Sequence, residues 1–510
     1  MSSLDWFVVA AYLFAMLLLS ALLGRGQQSR KDYYLGGQQM SPLSLATSTI
    51  ATQCSTNSLL GAPAFVGFVA GGGMIWLQYE LAVPLAMLVL IYLLSPIREK
   101  SYISVYAYLE DRLGKSARLV ASSCFQIFRG IATGVTVYGV GLVVSLLLEV
   151  SYTQAVIILM AVTIAYDVMG GMKAVVISDV IQVLLIICAV VASLLLLIDE
   201  LGGIAPVFAE RTEALNFNWG VSADDSYGFW PMLLGGLFLY TAYYGCDQSQ
   251  AQRVLAARSV ADTRRVLVLN GVLRFPLVLL YCVLGLALAA YATGNDFVSR
   301  LPTTETGVPN FNLAYPIYVL ESFPAGFIGL VMVGIFAAAM SSIDSALNSL
   351  SAATIEDYLT ADQHLSERGM FIASKLATLG WGVFAVVFSY QVENIAPTVL
   401  EAINKISSMV NGPLLALFAL ALLAPGVGQS RAVTGFFTGL GANLLLWLFA
   451  PQISWLWWNV AGFAVTAATA LLLRPVALRA PAVTVTRSNW LPLLGTAAII
   501  GLACIGLQLL

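Results

Sequence analysis

Fourteen stretches of this chain are apolar for long enough to cross a lipid bilayer. They lie near residues 1–24, 43–68, 75–94, 119–148, 154–170, 174–198, 229–252, 266–292, 324–349, 370–391, 395–425, 432–450, 453–473 and 490–509. A helix needs roughly 20 apolar residues to span the hydrocarbon core. In lipid every backbone N–H and C=O has to be paired within the protein, so such runs fold as helices. Only 10 % of the chain is charged, against about 25 % in soluble domains. The fold class expected is an all-α polytopic membrane protein of about 14 spans, forming one transmembrane domain over 1–510. No hydrophilic block has the size of a soluble enzyme or kinase module.

Several functions fall away at once. The six cysteines, at 54, 124, 188, 246, 282 and 504, sit in or beside apolar runs and read as buried thiols. The single histidine, His364, lies in a polar loop, so neither a multi-His metal site nor a Ser–His pair is available. No catalytic residues are expected. The expected partners are the bilayer and a small solute, with no nucleic acid and no obligate protein partner.

The basic residues orient the spans. The first run lacks a basic leader and a cleavage site and reads as a retained span. Asp5 precedes it, whereas Arg25, Arg30 and Lys31 follow, which puts the N-terminus outside. Continuing through fourteen spans, Arg98, Lys100, Arg112, Lys115, Arg118, Lys173, Arg253, Arg258, Arg264, Arg265, Arg368, Arg431, Arg474, Arg479 and Arg487 fall inside; only Arg211 and Arg300 fall in outer loops. Both termini are then outside a cytoplasmic (inner) membrane. Asp167 and Glu149 lie near span ends and read as solvated there.

Three spans are interrupted by polar residues: the second at Ala51–Ser58 before Gly61 and Pro63, the seventh at Tyr243–Gln250, the eleventh at Asn404–Ser408 and Asn411–Pro413. Irregular backbone at this depth is tolerated where it lines a cavity, and interruptions at matching places in two halves point to a secondary transporter's site. The second and seventh spans are five apart, as an inverted repeat requires. The divisions are a leading helix and linker over 1–40, a first repeat over 41–198, a second over 229–425, and C-terminal flanking helices over 432–510.

The ninth span carries the most telling polar face. Ser341, Asp344, Ser345 and Asn348 stand at i, i+3, i+4 and i+7, on one side of a helix. A small hard cation is the natural complement to hydroxyls and one carboxylate at membrane depth. A seam of small packing residues is the plain alternative, but it leaves Asp344 unexplained.

The chain resembles the sodium/solute symporter family. The resemblance rests on Asp32–Gly37, Ser104–Glu110, Gly170–Val176 with Ser178–Gln182, Asp247–Arg253, and Ala337–Ser342 with Ala346–Ser349, in the family's order. It implies a LeuT-like inverted repeat of 5+5 spans with flanking helices. It also implies sodium-coupled import of a small polar organic solute by alternating access, with one or two Na+ per cycle. A transporter-fold sensor and a proton-coupled carrier are the alternatives. The first sodium site implied comprises Ala51, Cys54, Ala338, Ser341 and Ser342; the second comprises Asp179, Ser341, Asp344 and Ser345, with Asp344 standing where relatives carry Ser. Asp179 otherwise reads as a helix cap. Asp344 and Asp179, sharing one small volume, stay ionised together only beside a cation; alternatively Asp344 pairs with a base. Solute-binding positions implied are Gln53, Ser58, Gln78, Tyr79, Glu80 and Asp247, with Lys405 facing the cavity or snorkelling outward. Asp247 either favours a cationic or zwitterionic solute or pairs with a buried base such as Lys405 or Arg129. Sugars, sialic acids, carboxylates, vitamins and amino acids all remain open as solutes.

Overall fold

The computed structural model describes residues 1–222, 226–303, 307–359, 366–392, 399–472, 477–479, 483 and 485–510, with backbone only for 399–403. His364 and Arg474 lie outside these. The described residues form α1 (Ser3–Leu23), α2 (Arg30–Leu35), α3 (Pro42–Gln53), α4 (Thr56–Phe68), α5 (Trp76–Glu80), α6 (Ala82–Glu99), α7 (Ala107–Leu113), α8 (Lys115–Leu148) and α9 (Tyr152–Glu200). There follow α10 (Gly236–Cys246), α11 (Gln248–Leu255), α12 (Val260–Thr293), α13 (Ala314–Ser322), α14 (Phe327–Thr354), α15 (Glu367–Ser389), α16 (Val399–Leu423), α17 (Gln429–Phe449), α18 (Leu456–Leu472) and α19 (Arg487–Gln508).

Ten helical segments among the described residues are long and apolar enough to cross a membrane by themselves. The expected fourteen is reached only if α3 with α4 counts as one broken span, α10 with α11 as another, α9 as two, and the shorter α18 is included. The break in α9 is at Gly171, with φ 54° and ψ −161°. A Cβ there would stand 2.7 Å from the Tyr33 ring and 2.8 Å from its carbonyl oxygen, so glycine is required by both conformation and space.

Local signals set the other ends. Ser2 with Asp5 and Ser29 with Asp32 form reciprocal caps on α1 and α2. Pro42 opens α3 behind the Ser41 cap. Asp5 also reaches a segment more than 300 residues away, where its Oδ1 accepts the Gly326 and Gly329 amides at 2.7 Å each and caps α14.

α14 is the axis of the bundle. Of its most apolar stretch, 83 % of residues are buried, against 22 % in α1, α15 and α19, which therefore present their sides to lipid. α14 packs chiefly on α9, with α8, α15 and α1 around it, while α12 packs on α3 and α4. At its C-terminal end an ion-pair network closes the bundle. Arg118 donates from Nε to Asp357 at 2.8 Å and pairs with Glu110 at 2.6 Å; Arg30 pairs with Glu356 at 2.7 Å. Ser104 and Ser122 complete Asp357 at 2.9 and 2.7 Å.

Candidate solute cavity and ion-binding break

α3 stops inside the polar stretch singled out above. Cys54, at φ −82° and ψ 50°, leaves the helix, and α4 resumes at Thr56. The break frees carbonyls that would otherwise be paired along the helix. Ser341 of α14 answers them: its Oγ lies 3.2 Å from the Ala51 carbonyl oxygen and 3.1 Å from that of Ala338. Ser342 Oγ donates to the Ala339 carbonyl at 3.1 Å, and the Tyr281 hydroxyl donates to the Cys54 carbonyl at 3.2 Å. The Ala51 and Ala338 carbonyl oxygens and the Ser341 hydroxyl thus meet at one buried point, with Ser342 and the Cys54 carbonyl bonded next to it to Ala339 and Tyr281. That donor set suits a small monovalent cation stripped of water.

A cavity opens beside the same break. Gln53, Ser58, Tyr79 and Ser342 line it, together with Trp76, Tyr240 and Tyr243, the arginines Arg129 and Arg274, and Asn404, Ser407 and Asn411 of α16. Gln53, Ser58 and Tyr79 therefore share one chamber, as the sequence reading anticipates. The other anticipated positions do not line it. Gln78 holds an outer connection, donating to the Tyr227 carbonyl at 2.9 Å and accepting the Asn216 amide at 3.1 Å. Glu80 stands behind the wall, 3.0 Å from Arg274 Nη2. Asp247 caps α11 through the Ser249 amide at 2.8 Å and lies 3.7 Å from Arg129 Nη1, the Arg129 pairing considered above. It lines an adjoining smaller pocket with Arg129 and Tyr243. Lys405, on α16 next to Asn404, is not among the lining residues.

Arg274 carries a signal that sequence reading left unused, since an arginine within an apolar run marks a site by default. It is 4 % exposed. Its Nη2 donates to Glu80 and, at 3.1 Å, to the Tyr240 hydroxyl. Nε and Nη1 have no partner, nor does Arg129 Nε.

Against the same helix lies a fully buried cluster, joined to the cavity wall where Thr52 meets Ser345 at 3.0 Å. Asp179, Ser345 and Asp344 are buried together as anticipated, but a base stands among them. Arg253, placed by charge counting in an inner loop, is fully buried. Its Nη2 lies 3.3 Å from Asp179 Oδ2 and contacts Ser345 Oγ, its Nε donates to Ser48 at 2.7 Å, and its Nη1 donates to the Ser249 carbonyl. Asp179 is eight residues past the break and does not cap a helix; Ser48 donates to its Oδ2 at 2.5 Å. Asp344 Oδ1 lies 3.1 Å from Ser345 Oγ. Asp167 is not solvated. It is fully buried because Tyr33 of α2 covers the α9 break, and Asn348 donates to its Oδ1 at 3.3 Å. Glu149, by contrast, is exposed at the end of α8.

Both the sequence and the fold are similar to known proteins. The model of the sodium:solute symporter family matches residues 33–439. A putative sodium-dependent multivitamin transporter of Drosophila melanogaster is 30 % identical, covering 82 % of this chain and 70 % of that protein. The sodium-coupled monocarboxylate transporter 1 of Xenopus laevis is 28 % identical, covering 84 % of this chain and 70 % of its own. The solved structure of a Na+-coupled sialic acid symporter, substrate-bound and outward-open, has a TM-score of 0.84 at 23 % identity, covering 94 % of this chain and 99 % of that one. Its fold, the anticipated LeuT-like one, is the fold found here.

Proposed function

This chain belongs to the sodium:solute symporter family, and from that premise we propose that its solute is a small organic anion. As a family member it is a multi-pass membrane protein that couples sodium to secondary active import of a small polar organic solute. The observation that carries the proposal is the lining of the cavity. Arg129 and Arg274 line it, three of their buried nitrogens have no hydrogen-bond partner, and no carboxylate is among its described lining residues, Glu80 and Asp247 standing behind the two arginines. A carboxylate on the solute completes that donor set, and planar guanidinium is matched to carboxylate geometry. The monocarboxylate relative is in keeping with this chemistry.

The sodium ligands we assign are Ala51, Cys54, Ala338, Ser341 and Ser342. An ion there bridges the broken α3–α4 span to α14. Its binding favours the outward-facing arrangement in which the cavity is shaped for solute, and separation of the two helices releases it. One charge crossing 100 mV is worth about 2.3 kcal/mol, enough for roughly fiftyfold accumulation. The Arg118–Asp357 and Arg30–Glu356 pairs hold the inner side closed until then. The positive-inside distribution further supports both termini outside the cytoplasmic membrane. Cysteines near Arg211 or Arg300, in a background without the native thiols, should then react with an impermeant reagent, and one near Arg264 should not.

The deciding experiment compares isosteric solutes in proteoliposomes: lactate against lactamide, and nicotinate against nicotinamide, with sodium or choline outside. Sodium-driven uptake of the acids alone is expected. Preference for the amides would overturn the anion assignment and leave symport standing. For the ion, Ser342→Ala should raise half-saturating sodium by one to two decades, taking about 1.5–3 kcal/mol for a bond to a charged group. Unchanged half-saturation would remove Ser342 from the site.

A further inference from the structure

The smaller pocket that Asp247 lines continues the solute cavity toward one end of the bundle. Arg129, Tyr243 and Asn411 line both. Away from the cavity the lining runs from Thr136 past Arg129 to Cys124 along α8, from Tyr240 past Tyr243 to Asp247 just beyond α10, and from Asn404 past Asn411 to Leu414 along α16. The three helices give one direction. It leads to the ion-pair network at the C-terminal end of α14. At that level Thr354 of α14 donates to Gln126 Oε1 and Ser122 to Asp357, each at 2.7 Å.

An aromatic floor separates the pocket from that network. Phe125 of the pocket wall packs on Tyr106, ring centres 5.8 Å apart, and Tyr106 on Phe418 at 6.3 Å. The Tyr106 hydroxyl donates to the Cys246 carbonyl at 2.9 Å, beside Asp247 in the chain. Tyr106 belongs to the Ser104–Glu110 stretch, whose ends are held by the inner network: Ser104 donates to Asp357 at 2.9 Å, and Glu110 pairs with Arg118 at 2.6 Å. Parting of the inner ion pairs therefore frees the floor as well. The entry to the pocket is charged. Arg129 lies over the Tyr243 ring, 6.0 Å from its centre, with Nε unpartnered and Nη1 3.7 Å from Asp247 Oδ2. Asp247 Oδ1 is taken by the Ser249 amide and hydroxyl, at 2.8 and 2.5 Å. Asp247 is thus fixed, and Arg129 is the partner able to take another acceptor. A rival carboxylate beside Arg129 also keeps any anion there weakly held, and a site on a route has to bind weakly enough to release.

We propose that this pocket is a second, transient stop for the anionic solute on its way to the inner side, where Arg129 receives the carboxylate and Asp247 displaces it once the floor opens. This rests on the anion reading given above. The pocket is smaller than the cavity, about 40 against about 150 Å³, so the solute enters it as the inner ends of α8, α10 and α16 part.

The native Cys124 in the pocket wall supplies the probe. In a full-length chain whose other cysteines are replaced, an impermeant thiol reagent is applied to proteoliposomes from each side in turn, a cysteine near Arg264 in a parallel chain marking the inner side. Cys124 should react from the inner side alone, and faster in choline than in sodium, because the ion favours the outward arrangement. Lactate and nicotinate should slow that reaction; lactamide and nicotinamide should not. Reaction from the outer side, or from neither, overturns the proposal, and so does a reaction that the acids leave unslowed. Equal slowing by the amides would instead overturn the anion reading and leave the stop standing. Val410→Phe, made with all native cysteines in place, covers the case of a cysteine-depleted chain that does not fold. Val410 lines the pocket and not the cavity. The variant should lose most of its sodium-driven turnover per folded molecule, while the half-saturating acid does not rise. Turnover at the wild-type level overturns the proposal. A rise in half-saturating acid overturns it too, by making the pocket part of the site that loads from outside.

Discussion

Arg253 on α11 and Arg274 on α12 are both buried arginines, and they use their donors in opposite ways. Arg253 has every nitrogen engaged, by two hydroxyls, a carbonyl and a carboxylate. Arg274 lies over the Tyr240 ring, donates from Nη2 to Glu80 and the Tyr240 hydroxyl, and leaves the buried Nε and Nη1 without hydrogen-bond partners. An unsatisfied buried donor costs about 1–3 kcal/mol, more when charged. Burial and charge therefore do not tell a structural arginine from a binding one; the incomplete donor set does. Arg253 knits α11 to α3, α9 and α14, whereas Arg274, on the function proposed above, takes its remaining acceptor from the solute.

The largest effect should come from Arg253. Arg253→Ala strands Asp179 in the bundle core, and removing one partner of a buried pair typically costs 3–5 kcal/mol. Little folded protein should be recovered, and thermal unfolding of what remains should begin far below wild type. Adding Asp179→Asn should restore much of the loss by removing the stranded charge. If Arg253→Ala unfolds as wild type does, the completeness of its donor set has been misread as structural importance.

Sequence order explains why these roles were unequally legible. The helices, the interruption at Ala51–Ser58 and the polar face of α14 follow from local pattern, because spanning length and helical period are local properties. Arg253 does not: it follows a polar stretch near a span end, where charge counting places it in a loop, and its carboxylate partner lies on α9, far earlier in the chain. Asp167 fails for a related reason. Gly170 and Gly171 announce a break, which reads as a wet loop, but Tyr33 from α2 closes over it. Gln78 and Glu80 sit beside Tyr79 in sequence, yet helical geometry turns Tyr79 alone toward the cavity and its two neighbours to the outer connection and to Arg274.

Lysine at both positions sharpens the contrast. Lys keeps the charge but gives up the planar fork. Arg274→Lys leaves Glu80 a partner, so unfolding in the absence of solute should barely move. It removes the two free donors, so the KM for the anionic solute should rise about tenfold, the equivalent of 1.4 kcal/mol. Arg253→Lys should do the reverse. An ammonium cannot reach Ser48, Ser249, Asp179 and Ser345 together, so stability should fall while the solute KM of the surviving protein stays near wild type. Equal effects of the two substitutions on both readouts would erase the distinction.

The smallest effect tests the intermediate case, Arg129. Its Nε is without a partner like the free donors of Arg274, but its Nη1 lies 3.7 Å from Asp247, at a place where both side chains are 16 % exposed. That distance is too long for a hydrogen bond, and a partly exposed pair of this kind contributes about 1 kcal/mol or less. Asp247 has a second task, capping α11, which Asn performs about as well. Asp247→Asn therefore removes a weak competitor for Arg129 and leaves the helix start intact. Arg129 becomes freer to meet a carboxylate, so the KM for an anion should fall by up to about fivefold, within the 1 kcal/mol bound, with stability unchanged. Uptake of the matching amide should not improve, because the gain is one of charge. If affinity for the anion instead drops, Asp247 is positioning Arg129 and not competing for it, and Arg129 belongs with Arg253 among the arginines whose partners come from the protein itself.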